Sequence, residues 1–438
     1  MDGGKVIDAG GYGCVFDPAL KCANKDNDEI QDAISKLMTS KHAEDEYEEI
    51  QHFKNKLQVI PNYDRYFLLQ DFTLCQPQAL TTSDLNGYTK ECKSLKKRGI
   101  TSSNINKSLN KLKILNMPYG GTNIKRFVKS NFVSSNIIRI NNSLIDLLVN
   151  GIIPMNALGV YHCDIKDSNA LIKPIGTGLI IRLIDWGLSV SITSEKGIPN
   201  KLYRRPFQYN VPFSAILFNN DFLKMYDEFL FIYPNPEFYQ IREFVINYIF
   251  AWNKIRGPGH LSTINEINKL LFEKQLPTLK GEIKDHIIEY DVTYYYIVEY
   301  LTKILDKYTD NASINLMDYF KNIFIKNIDV WGFTTIYLVF YDNFNKSYNT
   351  LNGHQKEFLH KIKQIIIRFL YETPTEVINI QELVDELTNL NSIVEKFGND
   401  SASGGKLCTF NKSKKCNKSK KCNKSKKRNV KLISKHNI

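Results

Sequence analysis

The sequence predicts an α+β chain of two lobes and an appendage. Three observations predict it. First, 438 residues with 43% hydrophobic and 24% charged content can bury a sizeable core and have the balance of a soluble globular protein. Second, short apolar runs at Leu112–Leu115, Ala170–Ile172 and Leu179–Ile184 read as strands, whereas periodicity near Phe238–Trp252 and Val292–Leu305 reads as helix. Third, the net charge of +12 sits wholly at one end. Residues 400–438 hold twelve Lys, Arg428 and the single acid Asp400, and the remainder holds 45 basic and 45 acidic side chains.

The chain opens on Asp8-Ala9-Gly10-Gly11-Tyr12-Gly13-Cys14-Val15-Phe16. Glycines let a backbone approach phosphate oxygens and turn its N–H groups toward them. A plain glycine-rich hairpin has the same composition. Ala33-Ile34-Ser35-Lys36-Leu37-Met38 is a short apolar run holding one lysine. Glu44 to Ile50 then opens a helix whose apolar stripe continues through Phe53 and Leu57. Acidic residues suit a helix N-terminus, so most of these charges are expected to be solvated. The strand at Leu112–Leu115 leaves through Asn116-Met117-Pro118-Tyr119-Gly120-Gly121, which by itself is an ordinary strand exit.

A helix is expected from Ile145, with Pro154 ending or kinking it. The most informative run follows: His162-Cys163-Asp164-Ile165-Lys166-Asp167-Ser168-Asn169, then Ile184-Asp185-Trp186-Gly187. Asp164, Lys166, Asn169 and Asp185 thereby fall on loops between buried strands, where functional groups usually lie. In this order the four suit one chemistry. A carboxylate orients a hydroxyl nucleophile, a lysine neutralises a phosphate in transfer, and an Asn with a second Asp holds Mg²⁺. A polar loop could use Asp and Asn for turns alone, but four residue types at fixed spacing argue for the chemistry.

The order H-x-D-x-K-x-x-N, then D-x-G, resembles the protein-kinase catalytic loop and magnesium motif. Residues 1 to about 395 resemble the eukaryotic-type protein-kinase fold, most closely the divergent serine/threonine kinases of large (giant) DNA viruses. The looser viral likeness lies in Gly10–Phe16, in Pro206-Phe207-Gln208-Tyr209-Asn210-Val211-Pro212-Phe213 and in Asp329-Val330-Trp331-Gly332. The resemblance implies a bilobal fold. Residues 1–120 would form a small β-rich lobe and hinge, 121–398 a larger helical lobe, and 399–438 a disordered Lys-rich tail. Asp329 resembles the start of the central helix of the large lobe, and its distance from the magnesium motif implies a long helical insertion over about 214–325. Alternatively that helix begins near Asp221.

The roles carried over are these. Asp164 orients the acceptor hydroxyl, and Lys166 stabilises the transferring phosphoryl. Asn169 and Asp185 bind Mg²⁺. Gly10, Gly11, Tyr12 and Gly13 cradle the ATP phosphates, and Val15 covers the adenine. Lys36 binds the α/β-phosphates and pairs with a helix glutamate. Distance along the chain favours Glu49; Glu46 is the alternative, because Ile50 and Phe53 follow it on one face. Met117 and Tyr119 lie on the implied hinge, and Tyr203–Phe213 is the implied substrate-docking segment, without an A-P-E ending. Asp8 replaces a glycine, Trp186 a phenylalanine, and Cys163 the arginine that usually pairs with an activation-loop phosphate. The last departure implies a switch that does not need loop phosphorylation.

The expected function is an ATP- and Mg²⁺-dependent serine/threonine-protein kinase, a monomer acting on a protein substrate. Lys166 favours the serine/threonine type. The alternatives are a pseudokinase scaffold with a polyanion-binding tail and a small-molecule kinase of the same fold. The tail repeats Asn-Lys-Ser-Lys-Lys-Cys at 411–416 and 417–422 and Asn-Lys-Ser-Lys-Lys-Arg at 423–428. Such composition predicts disorder. It also suits attraction to nucleic acid, an anionic membrane surface, or a nuclear-import signal. No aromatics interleave these lysines, so base stacking is not indicated. Eight scattered cysteines without C-x-x-C argue for a reducing, intracellular compartment and against zinc. That would be host cytoplasm for a viral protein, with virion or nucleus as alternatives. No run of about 18 apolar residues predicts a transmembrane helix, and the first residues form neither a signal peptide nor, with Asp2, a myristoylation start.

Overall fold

Sheet and helix divide the chain unequally: a small five-stranded sheet comes first and nearly everything after it is helical. The computed structural model describes residues 4–9, 13–23, 32–130, 133–192, 197–272 and 282–398. The expected phosphate-loop residues Gly10, Gly11 and Tyr12 lie outside these, as does the tail. Contacts divide the chain into one unit over Met1–Gly398 and a second over Asn399–Ile438.

The sheet contains β1 (Lys5–Ala9), β2 (Gly13–Asp17), β3 (Ala33–Thr39), β4 (Thr73–Cys75) and β5 (Leu112–Pro118), in the order β1-β2-β3-β5-β4. All its pairings are antiparallel. Alternation along the strands sends neighbours to opposite faces. Leu37 and Ile114 join a cluster with Val6, Phe16, Tyr88, Leu95 and Ile105. Met38 and Leu115 join the main core beside Ile50 and Phe53 of α1 (Ser40–Leu57). The outer cluster draws on residues 80–105, which the sequence reading left unassigned. That layer is pinned by disulfides between Cys14 and Cys92 and between Cys22 and Cys75. The scattered cysteines were therefore a poor guide: the partners are 78 and 53 residues apart, and long-range folding brings them together.

In the helical part, α2 (Ser134–Asp146) runs on through a π-helical stretch at Leu147–Ile152 and a further turn at Ile153–Ala157. Pro154, expected to end or kink the helix, does not end it, and the helix is distorted just before it. The proline falls at the start of that last turn, just after the wider stretch, where a missing N–H is tolerated. Short strands β6 (Thr122–Asn123), β8 (Ala170–Ile175) and β9 (Gly178–Leu183) form a second sheet, while β7 (Val160–Tyr161) pairs with β10 (Val190–Ser191). Helices α3 (Asn220–Ile232), α4 (Phe238–Arg256), α5 (Leu261–Phe272) and α6 (Glu282–Tyr308) occupy most of the interval read as an insertion. They precede α7 (Ile325–Thr335), which is almost wholly buried, and then α8 (Gly353–Leu370) and α9 (Ile380–Glu395). The stretch Leu316–Asn345 has the length and apolarity to cross a membrane, contrary to expectation. Of its most apolar window, 78% is buried within the fold, so core packing accounts for its composition.

Candidate active site

Helix α7 supports the 162–169 loop from beneath. Asp329 Oδ2 accepts the N–H of His162 and Oδ1 that of Cys163, both at 2.8 Å. Burial pushes the Asp329 carboxyl up to about 7, against the two N–H bonds and the nearby Arg205 charge, which pull it down. Trp331 Nε1 donates to Tyr209 O at 3.0 Å. A Cβ at Gly332 would lie 2.6 Å from Ile165 O, so only glycine allows the helix this close. The Asp-x-Trp-Gly spacing thus serves one task, holding two segments of the site on a single helix. Asp329 makes this contact, whereas Asp221 pairs with Arg204 at 3.4 Å.

Above that helix, the buried Asp164 carboxylate is held by three donors. Lys166 Nζ (2.8 Å) and Asn169 Nδ2 (2.9 Å) meet Oδ2, and Asn210 Nδ2 (2.8 Å) meets Oδ1. Asn169 Nδ2 also donates to Asp164 O at 2.9 Å. Ile184 N donates to Asn169 O at 3.0 Å, tying the loop to the chain that carries Asp185. Asp185 is exposed and left-handed at φ 67°, a conformation uncommon outside glycine and often kept for function. Cys163 has φ 59°, and its buried thiol is pushed well up by that burial. Its carbonyl accepts Arg205 Nη1 at 2.7 Å. Asn210 was missed as a site residue. It lay unremarked inside the 203–213 run, and an Asn in a loop carries no signal of its own.

Trp186, next to Asp185, is buried among aromatic rings. Its ring centroid lies 5.4 Å from Phe53 of α1, 5.5 Å from Phe67 and 4.9 Å from His162. Aromatic pairs at such separations add to ordinary apolar burial. This column joins α1 to the 162–169 loop. His162 is completed by an Nε2 contact with Ile184 O at 3.0 Å, and burial holds its imidazole below the usual range.

On the sheet, Lys36 faces Val15 on one neighbour and Leu115 on the other. Its ammonium meets Glu46 Oε2 at 2.6 Å and Oε1 at 2.7 Å. The expected Lys36–Glu49 pair is corrected by this geometry: Glu49 pairs with Lys201. The cause is helical phase. Glu46, Ile50 and Phe53 share a face, and three residues further on Glu49 has turned about 60° from it. Counting along the chain misled; the apolar stripe would have decided correctly. Lys56 of α1 also reaches Ser191, so α1 touches the stretch after Asp185 through two polar contacts besides Phe53 on Trp186.

Of the remaining expected residues, Gly13 opens β2, where a Cβ would lie 2.5 Å from Leu37 O. Met117 lies on β5 opposite Ile34. Tyr119 follows it, but its N–H is taken by Asp32 O at 2.7 Å, so that donor is not open to a ligand.

No family model matches the chain, and no curated protein matches it. Among solved structures, it is similar to the crystal structure of the PF14_0431 kinase domain at 13% identity and a TM-score of 0.29. The match covers 49% of this chain and spans 56% of that one. The molecule is a mixed α and β fold with a small sheet region and many helices.

Proposed function

We propose that the chain is a bilobal protein kinase of the serine/threonine type. One observation carries this most: Asp164 is clamped by Lys166, Asn169 and Asn210, with Asp185 on the adjoining turn. A carboxylate offers about four acceptor sites, and three are used, leaving one for a substrate hydroxyl. Lys166 has three donors and spends one on Asp164, leaving two for phosphoryl oxygens. Asp164 accepts the hydroxyl proton as the oxygen–phosphorus bond forms, and the bond from the γ-phosphorus of ATP to its leaving oxygen breaks, releasing ADP. Lys36, fixed by Glu46, binds the α/β-phosphates. The roles of Gly10, Gly11, Tyr12, Gly13, Val15 and Met117 follow from their place ahead of this lysine and beside it.

The donor set fits Mg²⁺. Asn169 Nδ2 is committed to Asp164, so its oxygen is the atom left for a cation, and Asp185 supplies a second hard oxygen. When bound, the ion would supply positive charge against the ATP phosphates. The tail, with thirteen basic side chains and one acid, supports attraction to a polyanion, and a monomer remains our reading of the whole.

The test is transfer of the ATP γ-phosphate to hydroxyl-bearing peptides by the full chain. Asp164→Asn or Asp185→Asn should each cut transfer on the order of 10²-fold or more while leaving the fold intact. Activity within a few-fold of the parent in either variant would refute the assignment.

A further inference from the structure

Arg205 is a charged side chain in the interior. It is 4% exposed, and among the described residues no carboxylate pairs with it directly. Its bonds go to neutral groups instead. Nε donates to Lys201 O at 3.0 Å, and Nη1 donates to Cys163 O at 2.7 Å and to Gln208 Oε1 at 3.2 Å. Nη2 is buried and, among the described residues, has no hydrogen-bond partner. Taking a guanidinium out of water without a counter-charge is costly, so its position calls for a reason.

The reason lies in the carbonyl it holds. Cys163 is left-handed at φ 59°, a conformation that persists only where its surroundings impose it. Its N–H is taken by Asp329 Oδ1 and its carbonyl by Arg205 Nη1. That carbonyl shares a rigid peptide plane with the nitrogen of Asp164. Arg205 therefore fixes where Asp164 begins, while Asn210 fixes where its carboxylate ends. Arg205 itself is kept in place by α4 and the turn after it, which secure its segment by the carbonyls. Trp252 Nε1 donates to Arg205 O at 3.2 Å, Arg256 Nε to Arg204 O at 2.8 Å, and His260 N to Phe207 O at 2.8 Å. The His260 ring also lies 5.5 Å from that of Tyr209.

We propose that Arg205 is a positioning residue for Asp164: its guanidinium fork ties the Cys163 carbonyl to Lys201 O and Gln208, and so holds the candidate base in its reacting orientation. It does this through protein atoms alone and touches neither substrate nor nucleotide. The 201–210 segment then aligns the base at two points, once through the backbone and once through the side chain. This rests on the protein-kinase reading above.

The experiment compares the full chain with Arg205→Met, which keeps an apolar stem and loses every donor, and Arg205→Lys, which keeps the charge and a donor but not the fork. Transfer to one good peptide is measured, with kcat expressed per ATP-binding molecule so that unfolded protein does not count. Melting temperature is followed alongside. Arg205→Met should lower kcat about tenfold, as misorientation of a reacting group does. Its KM for ATP should stay near the parent's, and its peptide KM should change less than kcat. Arg205→Lys should recover part of the loss and fall short of the parent. An arginine serving the fold alone would lower the melting temperature and leave kcat per binding molecule unchanged. A parent-like kcat in either variant, or no recovery in Arg205→Lys, overturns the inference. Should Arg205→Met not fold, Arg205→Lys against the parent decides. If the parent phosphorylates no peptide, the kinase reading falls and this inference with it. An active parent indifferent to both substitutions overturns this inference alone.

Discussion

Asn210 Nδ2 lies 2.8 Å from Asp164 Oδ1, so the 203–213 segment grips the candidate base directly. The same side chain also reaches Ile165 O at 3.3 Å. The proposed substrate-docking segment and the proposed reactive carboxylate are thus joined by one amide, which would set substrate position and carboxylate orientation together.

Asn210→Ala should therefore lower kcat by about tenfold or more while leaving KM for ATP near the parent value, because misorientation of a reacting group is costly. The loss should be smaller than that of Asp164→Asn. Steady-state kinetics on one peptide decides it; a kcat equal to the parent's would show that Asn210 is only a core residue.

Glu46 and Glu49 should separate by function. Glu46→Gln weakens the hold on Lys36 and should raise KM for ATP or lower kcat by on the order of tenfold. Glu49→Gln breaks only the pair with Lys201, each partner about one-third exposed, and should change KM for ATP little. Equal effects on ATP kinetics would count against the assignment.

Asp329 predicts a pH dependence of stability. Its folded pKa is raised to about 7, against ~3.9 for an unfolded aspartate. The folded state then binds the proton more tightly, so this group's contribution is full below about pH 4 and is lost as pH rises through about 7. The amide of Asp329→Asn does not titrate and can accept only one of the two loop N–H groups. The melting-temperature gap between parent and variant should be widest near pH 4 and narrow toward pH 8. A gap that widens with pH would contradict the sign of the shift.

Truncation after Gly398 should abolish binding to DNA, RNA or anionic vesicles and leave peptide phosphorylation nearly unchanged. Binding by the full chain should weaken steeply with salt, because released counterions drive it. The described body has no comparable excess of charge. A truncated chain that binds polyanions as tightly as the parent would move the binding element into the fold.

The loop motif was legible because its geometry is local: Asp164, Lys166 and Asn169 lie within a few residues of one another and meet there. Asp329, Trp331 and Gly332 were legible as a spacing, though the reason for each residue emerged only with its contact. Other features depend on meetings between distant segments. The outer layer on the sheet, the Cys14–Cys92 bridge, Asn210 at Asp164 and His260 at Tyr209 carry no periodic signal that a single sequence displays. Glu46 lay between: the helical stripe contained the answer, and linear distance concealed it.

The absence of a side chain at Gly332 has a mechanical consequence. With Ile165 O so close to α7, the loop cannot slide along or lift from the helix without parting from both oxygens of Asp329 as well. Helix and loop form a fixed anvil. Opening, closing and any on–off motion must then be taken up by the parts that strike it: the sheet, α1 and the turn that carries His260.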